Sequence, residues 1–407
     1  MAADTTVYKE IEGKGGDYYS LIGWLGAMIA VGLYAVYNME HHGHVITGMN
    51  NAIVWGTPHV FAVFLIVAAS GALNVASISS VFGKYHYKPL ARLSAVSSLA
   101  LLAGGLMVLV LDLGRPDRLI VAMTHYNFKS IFAWNIILYN GFFVIVAAYL
   151  WMMMERRMVP HSKKAGLFAF VWRLILTTGT GSIFGFLVAR PGYDAAIMAP
   201  LFIALSFAFG LAFFIILVSV AYKSSGRPLG DLILFKMRNL LGVFVAAAFY
   251  FTVVQHLTNL YAAEHGGVES FILMDGGIYT FLFWVVQIGL GTVFPLALLF
   301  NPATGRTCQG IVIASILVII GGLAQMYIII IGGQAFPLQL FPGMEVSSSF
   351  FDGAIHPYTP SHWEVMLGLS GFAVTVLIIA VAVKYLPLLP TSLSDAKVDP
   401  HHASDDA

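Results

Sequence analysis

Apolar runs of about twenty residues recur along this chain, each closed by a short polar stretch. A helix rising 1.5 Å per residue needs about 20 such residues to cross a bilayer's hydrocarbon core. Windows of this kind fall near 18–38, 53–82, 90–111, 130–154, 165–189, 196–222, 239–261, 277–300, 308–331 and 364–386. They predict an all-α integral membrane protein of ten transmembrane helices. A polar segment, 1–17, precedes this 18–386 domain, and a polar tail, 387–407, follows it. The tail reads as solvated and disordered, its His401–His402 pair included. Gly104–Gly105 and Gly321–Gly322 read as points of close helix packing.

One stretch breaks the apolar pattern most sharply. Residues 111–135, LDLGRPDRLIVAMTHYNFKSIFAWN, join the third and fourth windows and hold Asp112, Arg115, Asp117, Arg118, His125 and Lys129. Lipid does not solvate such a cluster, so it belongs at the membrane surface or in a protein-lined pocket.

Charge then orients the spans. Of the 21 Lys and Arg, 16 lie on the side of the termini and 4 (Arg115, Arg118, Lys129 and Arg190) on the other. The remaining one, Arg173, lies within a span. By the positive-inside rule both termini are cytoplasmic, and 111–135 faces outward. The N-terminus lacks a basic n-region and a cleavage site, so the first span is expected to be retained.

Composition narrows the chemistry. Charged residues are only 10% of the 407, and mean hydropathy is +0.83. A net charge of +1 gives no reason to expect nucleic-acid binding. A single cysteine, Cys308, excludes a disulfide framework, an iron–sulfur cluster held by this chain alone and a CxxCH haem site. Electrons must therefore come from a partner or through an organic carrier.

Few ionisable groups lie within the windows. His59, six residues into the second, and His256, five before the end of the seventh, should lie at similar depth on the outer side. Each reads either as a histidine bonded between helices or as a partner for a quinone carbonyl. Two such histidines would suffice for one haem b, but a diheme cytochrome needs four. Asp112 and Arg115 read as a pair closing the third helix, or bordering a redox site in which Asp112 exchanges protons. Arg173, near mid-membrane, should point into the bundle towards Asn74, Asn135 or Asn140, as a packing pin or a proton path. Gln255, Gln287 and Gln325 read as interhelical glue. HHGH at 41–44 has metal-site composition on a solvated loop, and Glu364 reads as a helix N-terminal carboxylate. Ten spans with buried polar groups would also serve a secondary transporter, although paired helix breaks are not evident. A structural anchor without quinone chemistry is the third class.

LDLGRPDR followed by HYNFKSIFAWN resembles the NrfD/PsrC family, quinone-interacting membrane subunits of polysulfide reductase and related complexes. GGQ at 332–334 and PYTPSHWEVMLGLSG at 357–371 add to the likeness. Ten spans rather than eight resemble the longer branch, which includes the DsrP-type subunit of a sulfite-reduction-linked complex. The resemblance implies two four-helix bundles, spans two to five and six to nine, with one helix flanking each. It implies a menaquinone or ubiquinone site in the first bundle near the outer face. A ferredoxin-like iron–sulfur subunit would dock there, alongside further redox subunits. His59, Asp112, Arg115, His125 and Trp134 are the expected quinone-site residues, with Asp112 and His59 exchanging protons. Arg173 and Asn74 are the expected proton path.

Overall fold

The computed structural model describes residues 6–13, 15–337 and 353–398. It contains ten helices long and apolar enough to span a membrane: α1 (Gly16–His42), α2 (Thr57–Ser80), α3 (His86–Leu111), α4 (Ile131–Met154), α5 (Val159–Phe186), α6 (Met198–Ser225), α7 (Asp231–Tyr261), α8 (Ile278–Phe300), α9 (Cys308–Ala335) and α10 (His362–Tyr385). Their ends follow local chemistry. Pro58 sits in the first turn of α2, where its missing N–H costs nothing. Gly226 closes α6 at φ +63°, and its N–H returns to the carbonyls of Tyr222 and Lys223. Ser361 and Glu364 form a reciprocal capping box on α10.

Helices α2–α5 close one four-helix bundle and α6–α9 a second, as expected. The α2–α6 contact joins them, and α2 is the centre, with 89% of its window buried against 17% for α1. The flanking helices depart from expectation. Both lie on the first bundle: α10 packs on α3 and α2, and α1 packs on α10. Small residues set the contacts. A Cβ on Gly104 would strike Gly371 and Thr375 of α10, and one on Gly32 of α1 would strike Ser370. The bundle seam uses the same device, because a Cβ on Gly71 would meet the Ser206 carbonyl.

Three departures from regular helix follow from side chains or sequence. In α2, the Ser94 hydroxyl donates to the Ala72 carbonyl (2.7 Å) and accepts from the Ala76 N–H (3.1 Å). It is thus inserted into the backbone ladder, and α2 breaks at Leu73. Helices α8 and α9 carry π-helical turns over Leu282–Val293 and Ile328–Gly332. The tail is the second correction. Tyr8–Lys9 pairs antiparallel with Leu389–Pro390, Leu388 and Leu393 are buried, and Tyr222 Oη donates to the Pro390 carbonyl (3.0 Å). Leucines scattered among serines carry this docking, so polarity alone misjudged it. His401 and His402 lie outside the described residues.

The helix ends define two faces. The terminal face carries the N-terminus and the docked tail. The hinge face carries the α3–α4 connection.

Candidate functional site

At the hinge face, His59 Nδ1 lies 2.7 Å from Asp112 Oδ2. Asp112 caps the C-terminal end of α3, and His59 stands in the first turn of α2. A carboxylate at a helix C-terminus opposes the helix dipole. The charge-assisted bond, and not the helix dipole, therefore holds the pair. The Asp112 side chain is 1% exposed and its Oδ1 has no hydrogen-bond partner, whereas the His59 side chain is 15% exposed. With Asp112 ionised, Nδ1 carries the hydrogen and Nε2 keeps its lone pair. His59 is shallower than its window suggests: α2 begins at Thr57, so it lies only about 3 Å from the helix end.

The residues around this pair come from distant parts of the chain, and several were not singled out from sequence. Trp55 lies nearly parallel to the His59 ring, centroids 6.0 Å apart, and edge-on to Phe132 at 5.9 Å. Phe132 is exposed at the start of α4, so the aromatic row runs from the imidazole to the surface of the protein. Tyr193 and Phe184 back the indole on the buried side. Gln334, in the GGQ of α9, fixes its backbone: Oε1 accepts from the N–H groups of Val54 and Trp55, and Nε2 donates to the Trp55 carbonyl at 3.0 Å. Arg190 adds a bond to the Ala52 carbonyl (2.8 Å).

The start of α2 is held from the far end of the chain. Gly56 has no side chain to cap it, so Tyr358 Oη accepts from the Thr57 N–H (2.7 Å) and donates to Glu364 Oε1 (2.6 Å). Burial, then the neighbouring carboxylate, hold the Tyr358 phenol well above its ordinary range, so it remains a donor. Glu364 also accepts from the Gly48 and Ser361 N–H groups, both at 2.8 Å. It caps α10 as expected and anchors α2 as well.

Other expected site residues lie elsewhere. Arg115 does not pair with Asp112. It makes a bidentate bond to Asp117 (3.0 and 2.9 Å) on an exposed turn, because the chain turns at Leu113 and Gly114. The Arg115 bond holds the Asp117 carboxyl below its ordinary range. His125 is exposed, with Nδ1 3.0 Å from Thr124 Oγ1. Trp134 is 45% exposed, and its indole N–H donates to the Phe128 carbonyl (2.9 Å). It belongs to the rim and does not wall the His59–Asp112 pair. His41 and His42 end α1 as helical residues, and His44 packs against Gly114 with both ring nitrogens unpartnered. Among the described residues, no three His, Cys, Asp or Glu gather as a metal site.

Arg173 is 1% exposed, as its position in α5 demands, but its partner is not an asparagine side chain. It donates to the Ser70 carbonyl (3.2 Å) and lies over the rings of Phe170 and Phe207. Asn135 instead bonds the carbonyls of Ile131 and Gly179, and Asn140 is exposed. Arg173 Nε and Asn74 Nδ2 are both buried donors without a partner. Asn74 lies four positions beyond Ser70, past the break in α2 at Leu73.

The second bundle contains a similar pair. His256 Nδ1 lies 2.7 Å from Glu269 Oε2, and Asn259 Nδ2 donates to Glu269 Oε1 (2.9 Å). Glu269 belongs to the short helix Gly266–Ser270 after α7 and was not singled out from sequence. Gln325 Nε2 bonds Thr252 Oγ1 (3.1 Å), the glue role expected of it.

The family model described as polysulphide reductase, NrfD, matches residues 45–338. The chain belongs to the NrfD family. Among similar NrfD-type proteins is the Hdr-like menaquinol oxidoreductase integral membrane subunit of Archaeoglobus fulgidus, 30% identical over 94% of this chain and 96% of its own length. The menaquinone reductase integral membrane subunit of Nitratidesulfovibrio vulgaris is 22% identical over 88% and 89%. Protein NrfD of Escherichia coli is 23% identical and spans 70% of this chain but 96% of its own length. The present protein therefore extends beyond that shorter form.

Proposed function

We propose that this protein is the quinone-exchanging membrane subunit of a redox complex, with its site at His59 and Asp112. The observation that carries the reading is the unpartnered, buried Oδ1 of Asp112. In a purely structural pair the second carboxylate oxygen would be bonded by the protein as well, as it is in the His256–Glu269–Asn259 group. A quinol hydroxyl would donate its hydrogen to His59 Nε2, the ring nitrogen on the far side of the imidazole from Asp112.

A bound hydroquinone would supply two electrons and two protons. His59 Nε2 would take the proton of one hydroxyl and pass it to water at the hinge face, then do the same for the other, while Asp112 stabilises the imidazolium and holds the tautomer. Trp55 would stack on the ring, which would enter past the exposed Phe132. The electrons would pass to an iron–sulfur cluster of a ferredoxin-like partner on the hinge face. Run backwards, the same groups would reduce a quinone. The menaquinol and menaquinone names of two relatives favour menaquinone over ubiquinone. The lysine and arginine asymmetry supports cytoplasmic termini and an outward hinge face in the cytoplasmic membrane. The unpartnered donors of Arg173 and Asn74 fit a water-filled proton route through the first bundle. Ten spans support a place in the longer, DsrP-type branch, with sulfur metabolism as its setting.

The purified complex is expected to contain bound menaquinone. Photo-crosslinking with an azidoquinone should label Trp55, Phe132 or their neighbours. Label confined to the second bundle would refute the site.

A further inference from the structure

A cavity of about 300 Å³ opens at the terminal face of the first bundle, at the end of α2 away from His59. It lies between the end of α2, the start of α3, the end of α4 and the start of α5. Lys88, Arg92 and Lys163 line it together with the hydroxyl residues Ser80 and Tyr149. Two carbonyls, of Pro387 (3.1 Å) and Met153 (2.9 Å), hold the Arg92 guanidinium over the Tyr8 ring. Among the described residues, none of the three cations has a carboxylate within ion-pair distance. Three positive charges without a carboxylate partner among the described residues, around one volume of ligand size, suit an anion.

Depth selects the anion. Lys88 lies two residues into α3 and Arg92 six, roughly 3 and 9 Å along the helix. The polar zone of a bilayer is about 5–7 Å thick on each side, so the cations span the level of lipid phosphates. Met153 and Val159 supply apolar wall beside them, suited to glycerol and the first acyl carbons. We propose that this cavity binds the phosphate-bearing headgroup of an anionic membrane lipid. The phosphate sits between Lys88, Arg92 and Lys163. The lipid links the ends of α3, α4 and α5, which no side-chain ion pair ties together here.

The test uses the intact complex, stripped of lipid in detergent and then offered phosphatidylglycerol or phosphatidylcholine, with retained lipid counted by native mass spectrometry. The wild type should retain phosphatidylglycerol preferentially. Lys88→Gln with Lys163→Gln should weaken that retention roughly 30-fold, at about 1 kcal/mol for each lysine. Lys88→Arg with Lys163→Arg should restore it, which separates lost charge from lost folding. Equal retention of the two lipids overturns the proposal, as does retention unchanged in the glutamine variant. Displacement of the lipid by inorganic phosphate at matched concentration would make this a soluble-phosphate site. Lysines shielded from acylation only when partner subunits are bound would make it a protein interface. Either result also overturns it.

Discussion

The two bundles each place a histidine on a carboxylate at the hinge face, at the same 2.7 Å, yet the pairs are not equivalent. In the second bundle both oxygens of Glu269 are bonded, one to His256 and one to Asn259. In the first, one oxygen of Asp112 is bonded and the other is not. The His256 ring meets Phe283 edge-on, whereas the His59 ring lies under an indole whose far edge meets a lipid-exposed phenyl. Both pairs join a histidine Nδ1 to a carboxylate at the same distance, so the difference lies in what the second oxygen touches.

Substitutions can break this contrast. Asp112→Asn or His59→Gln should lower quinol-dependent turnover roughly 100-fold or more, the usual scale for lost acid–base catalysis, with assembly intact. Unchanged turnover in either variant would remove the pair from the mechanism. Trp55→Ala should raise the KM for quinol about tenfold, the equivalent of one ring stack. Trp55→Phe should recover most of that loss. Glu269→Gln should leave turnover within about twofold. It should instead lower the thermal midpoint of the solubilised complex, because a buried charge-assisted bond is weakened. A large turnover defect there would make the two pairs functionally alike.

Arg115→Gln should have the smallest effect on turnover, since its guanidinium is committed to an exposed neighbour. Its signature is in pH. Asp117 is held below its ordinary range in the folded hinge, so the pair's contribution is present above the ordinary carboxylate range. It is lost as pH falls through the lowered value. Limited proteolysis between α3 and α4 should accelerate only in that acid window, and Arg115→Gln should abolish the pH dependence.

His59, Asp112 and Arg173 were legible because an ionisable group in an apolar run stands out without knowledge of its neighbours. Their partners were less so. Arg173 bonds a backbone carbonyl, which any residue supplies, so no side-chain search would reach Ser70. Trp55 and Gln334 meet across 279 positions, a contact that only the packing of two bundles creates. Glu269 sits in a polar connection after α7, and only the fold brings it beneath His256. Asp112 and Arg115, three positions apart, looked like partners, but the chain turns between them at Leu113 and Gly114. The PYTPSHWE stretch carried a real signal whose meaning was structural. Its Tyr358 and Glu364 begin the helix that bears His59.

Gln334 belongs to one half of the molecule, and the indole it grips serves the other. The amide works as a clasp across the seam. Any displacement of α9 relative to α2 would therefore be passed directly to the Trp55 backbone beside His59.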